Sequence, residues 1–192
     1  MGALKYRTIV ADPPWPYGSG QPLGVHTLKV DGTVALGVSS KSLYGQMSIA
    51  ELLDVRPPAD DDAHLYLWTT NAFMCEAHEV ARAWGFAPKT ILTWVKTQED
   101  GSPSMKTGYY FRGATEHIVF AVRGSQRLLM TDGLPTAFLW PRLPHSVKPD
   151  AFYDLVESAS PGPYLELFAR RNRLGWDTWG NECRCDVEMA AL

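Results

Sequence analysis

Hydrophobic positions along the chain fall into short alternating runs separated by helical stretches. Thr8-Ile9-Val10-Ala11 is a β-type run, and Asp12-Pro13-Pro14-Trp15 stops it, because proline cannot donate to a strand ladder. Residues 16–44 read as one long loop rich in Gly and Ser. Ser48-Ile49-Ala50-Glu51 spells a capping box that opens a short helix. Ala63 to Trp68 alternates as a strand, and Asn71 is placed to cap the next helix. There Phe73, Ala77, Val80, Ala81 and Trp84 share one face, and Gly85 closes it. Thr90–Val95 and His117–Val122 read as strands, with a loop over 97–112 between them and irregular chain over 123–147. Pro149 suits a first helical turn whose inner face carries Phe152, Leu155 and Val156. Tyr164–Phe168 reads as a buried strand after the Ser160-Pro161-Gly162-Pro163 turn.

Strands alternating with helices predict an α/β sandwich with a mainly parallel sheet. Ligands of such sheets bind beyond the carboxyl ends of the strands. That directs attention to Asp12-Pro13-Pro14-Trp15, Thr69-Thr70-Asn71, Lys96 and Ala169-Arg170. The 192 residues suit a single domain, 1–192, with the 16–44 segment as a mobile lid over its site.

Composition changes this picture little. Net charge is −3, from 18 basic and 21 acidic residues, which argues against holding a polyanion by bulk charge. The charge is uneven, however. Residues 89–129 carry Lys89, Lys96, Lys106, Arg112, Arg123 and Arg127 together with Tyr109, Tyr110 and Phe111, a mixture suited to a single strand or a flipped base. Three cysteines, two of them in Cys183-x-Cys185, do not form a zinc spacing, so no metal is expected. No apolar run approaches the length of a membrane span, and no signal core is seen, so the expectation is a cytoplasmic protein without a membrane partner.

The chemistry concentrates in Asp12-Pro13-Pro14-Trp15. Two prolines fix two φ angles and leave carbonyls with no proline N–H nearby to bond them. A carboxylate, a carbonyl and an aromatic plane at one strand end suit the grip of an exocyclic aromatic amine. Asp12 and the Pro13 carbonyl would accept its two N–H bonds and free the nitrogen lone pair, with Trp15 or Tyr17 stacked on the base.

The stretch Val10-Ala11-Asp12-Pro13-Pro14-Trp15 resembles the catalytic motif of the adenine-N6 methyltransferase family that includes the messenger-RNA methyladenosine writer. Further motifs follow in the family's order. They are Tyr44-Gly45-Gln46-Met47-Ser48 with Glu51-Leu52, Leu65 to Asn71, Trp84-Gly85-Phe86, Thr93-Trp94-Val95-Lys96, Glu116-His117 and Val122-Arg123-Gly124. His145-Ser146 with Lys148-Pro149-Asp150, Ser160-Pro161-Gly162, Glu166 to Arg170, and Gly180-Asn181-Glu182 complete the set, over about residues 7–182.

The resemblance implies a Rossmann-like S-adenosylmethionine-dependent methyltransferase sandwich in permuted order, with the catalytic motif first and the cofactor strand late. It implies a short prokaryotic or phage-type member, with Asp12, Pro13, Pro14 and Trp15 as the catalytic motif. Ala11, Asp12, Lys148, Glu166, Phe168, Arg170, Asn172, Arg173, Asn181 and Glu182 would bind S-adenosylmethionine. Lys148 would neutralise its carboxylate. The family pattern often reads His-Asn where this chain has Asn172-Arg173. Tyr17, Tyr44, Lys96, Tyr110, Arg112, His145 and Ser146 are the candidates for substrate binding. The expected substrate is adenine in nucleic acid, DNA ahead of RNA, with a homodimer or a partner subunit to supply further surface. Cytosine-N4 methylation and a non-catalytic nucleic-acid-binding subunit are the alternatives. Asp12 and Trp15 disfavour the first, and the intact motif disfavours the second.

Overall fold

The structure is a computed structural model that describes residues 4–17, 26–28, 34–36, 45–105, 110–130, 133–144 and 147–189. It is an α/β sandwich built on a seven-stranded sheet. The strands are β1 (Tyr6–Ala11), β2 (His26–Leu28), β3 (Val34–Leu36), β4 (Ala59–Thr69), β5 (Ala87–Thr97), β6 (Thr115–Arg123), β7 (Ala137–Pro141), β8 (Tyr164–Leu167) and β9 (Trp176–Trp179). The helices are α1 (Ile49–Asp54), α2 (Met74–Ala83) and α3 (Asp150–Ala159). The sheet order is β7-β5-β6-β4-β1-β8-β9, and β2 and β3 form a separate antiparallel pair. Strand β6 runs antiparallel to both β4 and β5. The pairings of β1 with β4, β1 with β8, β5 with β7 and β8 with β9 are parallel. The mainly parallel sheet read from the sequence is borne out, with one reversed strand that the sequence did not announce.

The helices divide between the two faces. On one face α1 and α2 cover Ile9, Ala11, Leu65, Leu67, Val119 and Ala121 with Leu52, Ala77, Val80 and Trp84. On the other, α3 covers Val10, Tyr66, Trp68, Trp94 and Ile118 with Phe152, Tyr153 and Val156. Complete burial on both sides is what makes β1 and β4 near-continuous apolar runs rather than alternating ones.

The Ser48–Glu51 capping box is present in both directions. Ser48 Oγ accepts from the Glu51 N–H at 3.2 Å, and Glu51 Oε2 accepts from the Ser48 N–H at 2.7 Å. Helix α2 closes at Gly85, whose φ of 85° is open to a residue without Cβ. Arg123 then reaches across from β6. Its guanidinium donates to the Trp84 and Gly85 carbonyls and lies on the Phe86 ring, 4.7 Å from the centroid.

Some expectations need correction. Asn71 does not cap α2. A short 3-10 turn over Asn71–Phe73 intervenes, and the helix begins at Met74 with no side-chain cap. The stretch 123–147 contains β7, an edge strand parallel to β5. The segment Trp176–Trp179, beyond the last strand read from the sequence, is a further strand paired with β8. The long loop carries the β2–β3 pair, and most of 16–44, including the expected lid, lies outside the described residues. In α3 the inner face takes Tyr153 with Phe152 and Val156, while Leu155 is half-exposed.

Candidate active site

Register brings the ends of three parallel strands to one level. Ala11 is paired with Leu67 on one side and Leu167 on the other. Asp12 and Phe168 therefore leave the sheet together, level with Trp68 of β4. Glu166 pairs with Val10, one step inside the edge.

The Asp12-Pro13-Pro14-Trp15 tetrapeptide straddles this edge. Asp12 meets Lys148 just ahead of α3, with Oδ2 3.0 Å from Nζ. Trp15 turns into the core under α1 and α2, stacks on Phe73 at 5.4 Å and 11°, and donates its indole N–H to the Trp68 carbonyl at 3.1 Å. With 4% of its surface exposed, Trp15 anchors the turn and has no free face for a base. Tyr17 is the exposed ring beside it, edge-on to Phe73 with its hydroxyl 2.7 Å from Thr70 Oγ1.

The two proline carbonyls each accept one bond from an N–H that is not a proline's. Pro13 O accepts from the Trp15 N–H at 2.9 Å and Pro14 O from the Met47 N–H at 3.0 Å. The second bond explains why the Gly45-Gln46-Met47-Ser48 motif accompanies the first. It folds back on the turn, with Gln46 Nε2 donating to the Tyr17 carbonyl at 2.7 Å. Each carbonyl keeps its second lone pair.

Around Asp12 the side chains form a row of alternating charge. Lys148 Nζ also donates to Glu116 Oε2 at 3.0 Å, and Glu116 Oε1 takes a very short bond from Lys96. Lys148 lies over the Trp68 ring at 4.4 Å and Lys96 over the Trp94 ring at 4.6 Å. Burial alone would push the Glu116 carboxyl up, but the Lys148 and Lys96 ammoniums draw it down to about 2. Burial likewise works against the Lys148 charge, yet Asp12 and Glu116 together hold its pKa above the ordinary lysine value. Both shifts favour the charged forms of Glu116 and Lys148.

Beyond it, Tyr153 from α3 donates its hydroxyl to Glu166 Oε1 at 2.8 Å. Burial raises the Glu166 carboxyl, opposed by that bond. Among the described residues the second Glu166 oxygen has no hydrogen-bond partner. After β8 the chain turns sharply at Phe168, whose φ of 61° is rare for a residue with a side chain and marks strain at the edge. Phe168 packs edge-on to Trp179 at 5.4 Å. Gly180, just past β9, comes so close to Ala169 that a Cβ there would collide with its carbonyl. That approach sets Glu182 beside Arg170, 3.7 Å apart.

The structure thus gathers Asp12, Lys148, Lys96 and Glu166, with Phe168, Arg170 and Glu182 on the neighbouring turn. Asn172 and Arg173 are engaged elsewhere. Asn172 ties Thr178 Oγ1 and the Arg184 backbone, and Arg173 pairs with Glu157, Asp154 and Asp150. Asn181 is exposed beyond β9, and Tyr110 and Arg112 are exposed on the β5–β6 connection. Tyr44, His145 and Ser146 lie outside the described residues. Sequence reasoning missed the roles of Glu116 and Tyr153 in this cluster. Glu116 stood inside a quoted motif, and Tyr153 lies one turn after Lys148 and Pro149.

The MT-A70 family model matches residues 6–182. The chain belongs to the MT-A70 family. This bears out the resemblance carried by the ordered motifs, and with it the assignment as an adenine-N6 methyltransferase of Rossmann-like fold. Among relatives, the type II methyltransferase M.MunI from a Mycoplasma species is 32% identical over 196 residues, spanning 93% of this chain and 78% of its own length. The N(6)-adenosine-methyltransferase catalytic subunit METTL3 from Homo sapiens is 28% identical over 93% of this chain but 28% of its own. The N6-methyladenosine RNA methyltransferase MTA1 from Cryphonectria parasitica is 31% identical over 94% and 52%. This MT-A70 chain therefore spans most of one relative and about a quarter to a half of the others.

Proposed function

We propose that the chain methylates the N6 amine of adenine in a nucleic acid, with DNA as the first substrate and RNA as the second. The placement of Asp12 carries this reading. Its carboxylate ends β1, is held by Lys148, and lies one strand from Glu166. Asp12 accepts one N–H of the incoming amine. The remaining lone pair of the Pro13 carbonyl accepts the other, and together they pull the nitrogen toward the geometry in which its lone pair attacks. Trp15, locked by Phe73 and the Trp68 carbonyl, keeps that turn from relaxing. Tyr17 offers the exposed aromatic face for the base.

The donor set fits S-adenosylmethionine, which supplies an electrophilic methyl. The third Lys148 proton suits a carboxylate, and the unbonded Glu166 oxygen suits ribose hydroxyls. Ala11, Phe168, Arg170, Asn181 and Glu182 would line the rest of that site. Asn172 and Arg173 support it from behind. Lys96 acts through Glu116, while Tyr110 and Arg112 meet the polymer.

DNA is placed first because the relative matched over most of its own length is a type II methyltransferase. A partner subunit or a second copy is part of this reading, since one relative is itself named a catalytic subunit. Among the described residues no helix is long and apolar enough to cross a membrane. With Cys75, Cys183 and Cys185 free, the cytoplasm is the proposed setting.

The test is methyl transfer from labelled S-adenosylmethionine to single- and double-stranded DNA and RNA, with nucleoside analysis of the product. N6-methyladenine that disappears in Asp12→Asn while cofactor binding persists is the expected result. N4-methylcytosine, or full activity in that variant, would overturn the reading.

A further inference from the structure

We infer that a groove between α2 and β5, well away from the catalytic edge, grips the phosphodiester backbone of the nucleic-acid substrate. The inference rests on the proposed nucleic-acid methylation and extends its footprint.

The groove has a volume of about 460 Å³ and is lined by His78, Arg82, Pro88, Lys89, Thr90 and Ile91. It is open to solvent, its floor is a strand surface, and its walls carry two cations and an imidazole. Seven of the thirteen other described lysines and arginines are ion-paired. Lys96 and Lys148 are ion-paired at the catalytic edge, and Lys5, Arg56, Arg170, Arg171 and Arg173 each have a carboxylate partner. Arg82 and Lys89 form no ion pair among the described residues, although both are exposed and converge on one groove. His78 Nδ1–H donates to the Met74 carbonyl at 2.8 Å, which leaves Nε2 as the ring nitrogen available to a ligand in the groove. Two cations that no described carboxylate pairs, beside an imidazole and a threonine hydroxyl, match the chemistry of phosphate oxygens.

The position also fits. Strand β5 runs from the groove to Lys96, and six residues from Thr90 at about 3.3 Å each give roughly 20 Å. A duplex rises about 3.4 Å per base step, so a phosphate in the groove lies about six steps from the target adenine. The catalytic edge cannot supply this hold itself, because its Asp12–Lys148–Glu116–Lys96 row is internally neutralised.

The experiment compares the whole protein with the Arg82→Glu/Lys89→Glu variant. The substrates are a 30-base-pair DNA duplex with a central adenine and an 8-nucleotide single strand carrying the same adenine. The expected result is a KM on the long duplex raised about tenfold at moderate salt, with kcat unchanged. The slope of log affinity against log salt should fall by about 2, at roughly 0.9 for each phosphate that the variant leaves unneutralised. The short strand, which cannot reach the groove, should be methylated as by wild type. Fluorescence anisotropy of the labelled duplex gives the same comparison without catalysis. If wild type binds the duplex more tightly than the variant but methylates nothing, the methylation reading fails and the groove stands. Unchanged binding of the duplex, or equal losses on long and short substrates, would overturn the groove.

Discussion

The Tyr153 hydroxyl donates to Glu166 Oε1 at 2.8 Å, a buried bond that joins α3 to the end of β8. Glu166 would otherwise carry the full effect of burial, which raises its pKa. Tyr153→Phe removes the one hydrogen bond that favours the carboxylate. Cofactor affinity, measured by calorimetry across pH, should weaken several-fold at neutral pH, and its acid limb should move to higher pH. The sign follows from the chemistry: losing a donor to the charged form raises the carboxyl pKa further. A loss of affinity that is uniform with pH would assign Tyr153 to packing alone.

Lys148 is the sole cation between Asp12 and Glu116 in the described site, at 3.0 Å from each. Lys148→Met leaves two facing carboxylates without it. Breaking a buried pair in this way typically costs about 3 kcal/mol or more, and the urea midpoint should fall accordingly. Adding Glu116→Gln to that variant should recover part of the loss. Additive losses would mean that the two residues are not coupled.

Trp15 contributes an aromatic stack and an indole bond to the Trp68 carbonyl. Trp15→Ala should cost about 3 kcal/mol, lowering Tm by roughly 10 °C for a chain of this length. Trp15→Phe retains the stack and loses the bond, for about 1 kcal/mol. If Trp15 instead served only as a base platform, both variants would melt with wild type and differ in KM.

The pH dependence of stability should rest on one buried and one half-buried imidazole. His64 is 1% exposed, bonded to Ser160 Oγ at 2.7 Å, and burial lowers its pKa; burial lowers that of His117 as well. Both bind fewer protons folded than unfolded in the window below about 6.5. Their contribution is therefore complete above that pH and is lost as pH falls through the folded values. Melts from pH 7.5 to 5.5 should show declining Tm, flattened in His64→Gln. An unchanged slope in that variant would remove His64 from the account.

Much of this site was legible in the sequence because its informative residues follow parallel strands. Asp12 and Arg170 stand just past the ends of β1 and β8 at the edge of the candidate site, so a rule that inspects strand ends finds them. Glu116 eludes that rule. Strand β6 is reversed, and it delivers its beginning rather than its end to the same edge. No local pattern in His117–Val122 distinguishes a reversed strand. The missed elements have a common physical cause too. Strands β7 and β9 lie at the two edges of the sheet, each paired on one side. Their short runs, largely exposed in β7 and alternating buried and half-buried in β9, lack the apolar continuity that marked β1 and β4. Tyr153 escaped because a helix starting at Asp150 turns positions 152, 153 and 156 inward together, which the periodicity had shared with Leu155.

Two anions and two cations alternate along the edge from Asp12 through Lys148 and Glu116 to Lys96. Their monopoles cancel, so the potential they project decays steeply with distance and leaves little for dissolved ions to screen. Ionic strength should therefore act on this enzyme in a divided way. Added salt should loosen its hold on the polymer while the rate of the committed complex stays level. On the proposed function, the same cancellation would let the reacting atoms sit among four charges without drawing counterions into the cleft.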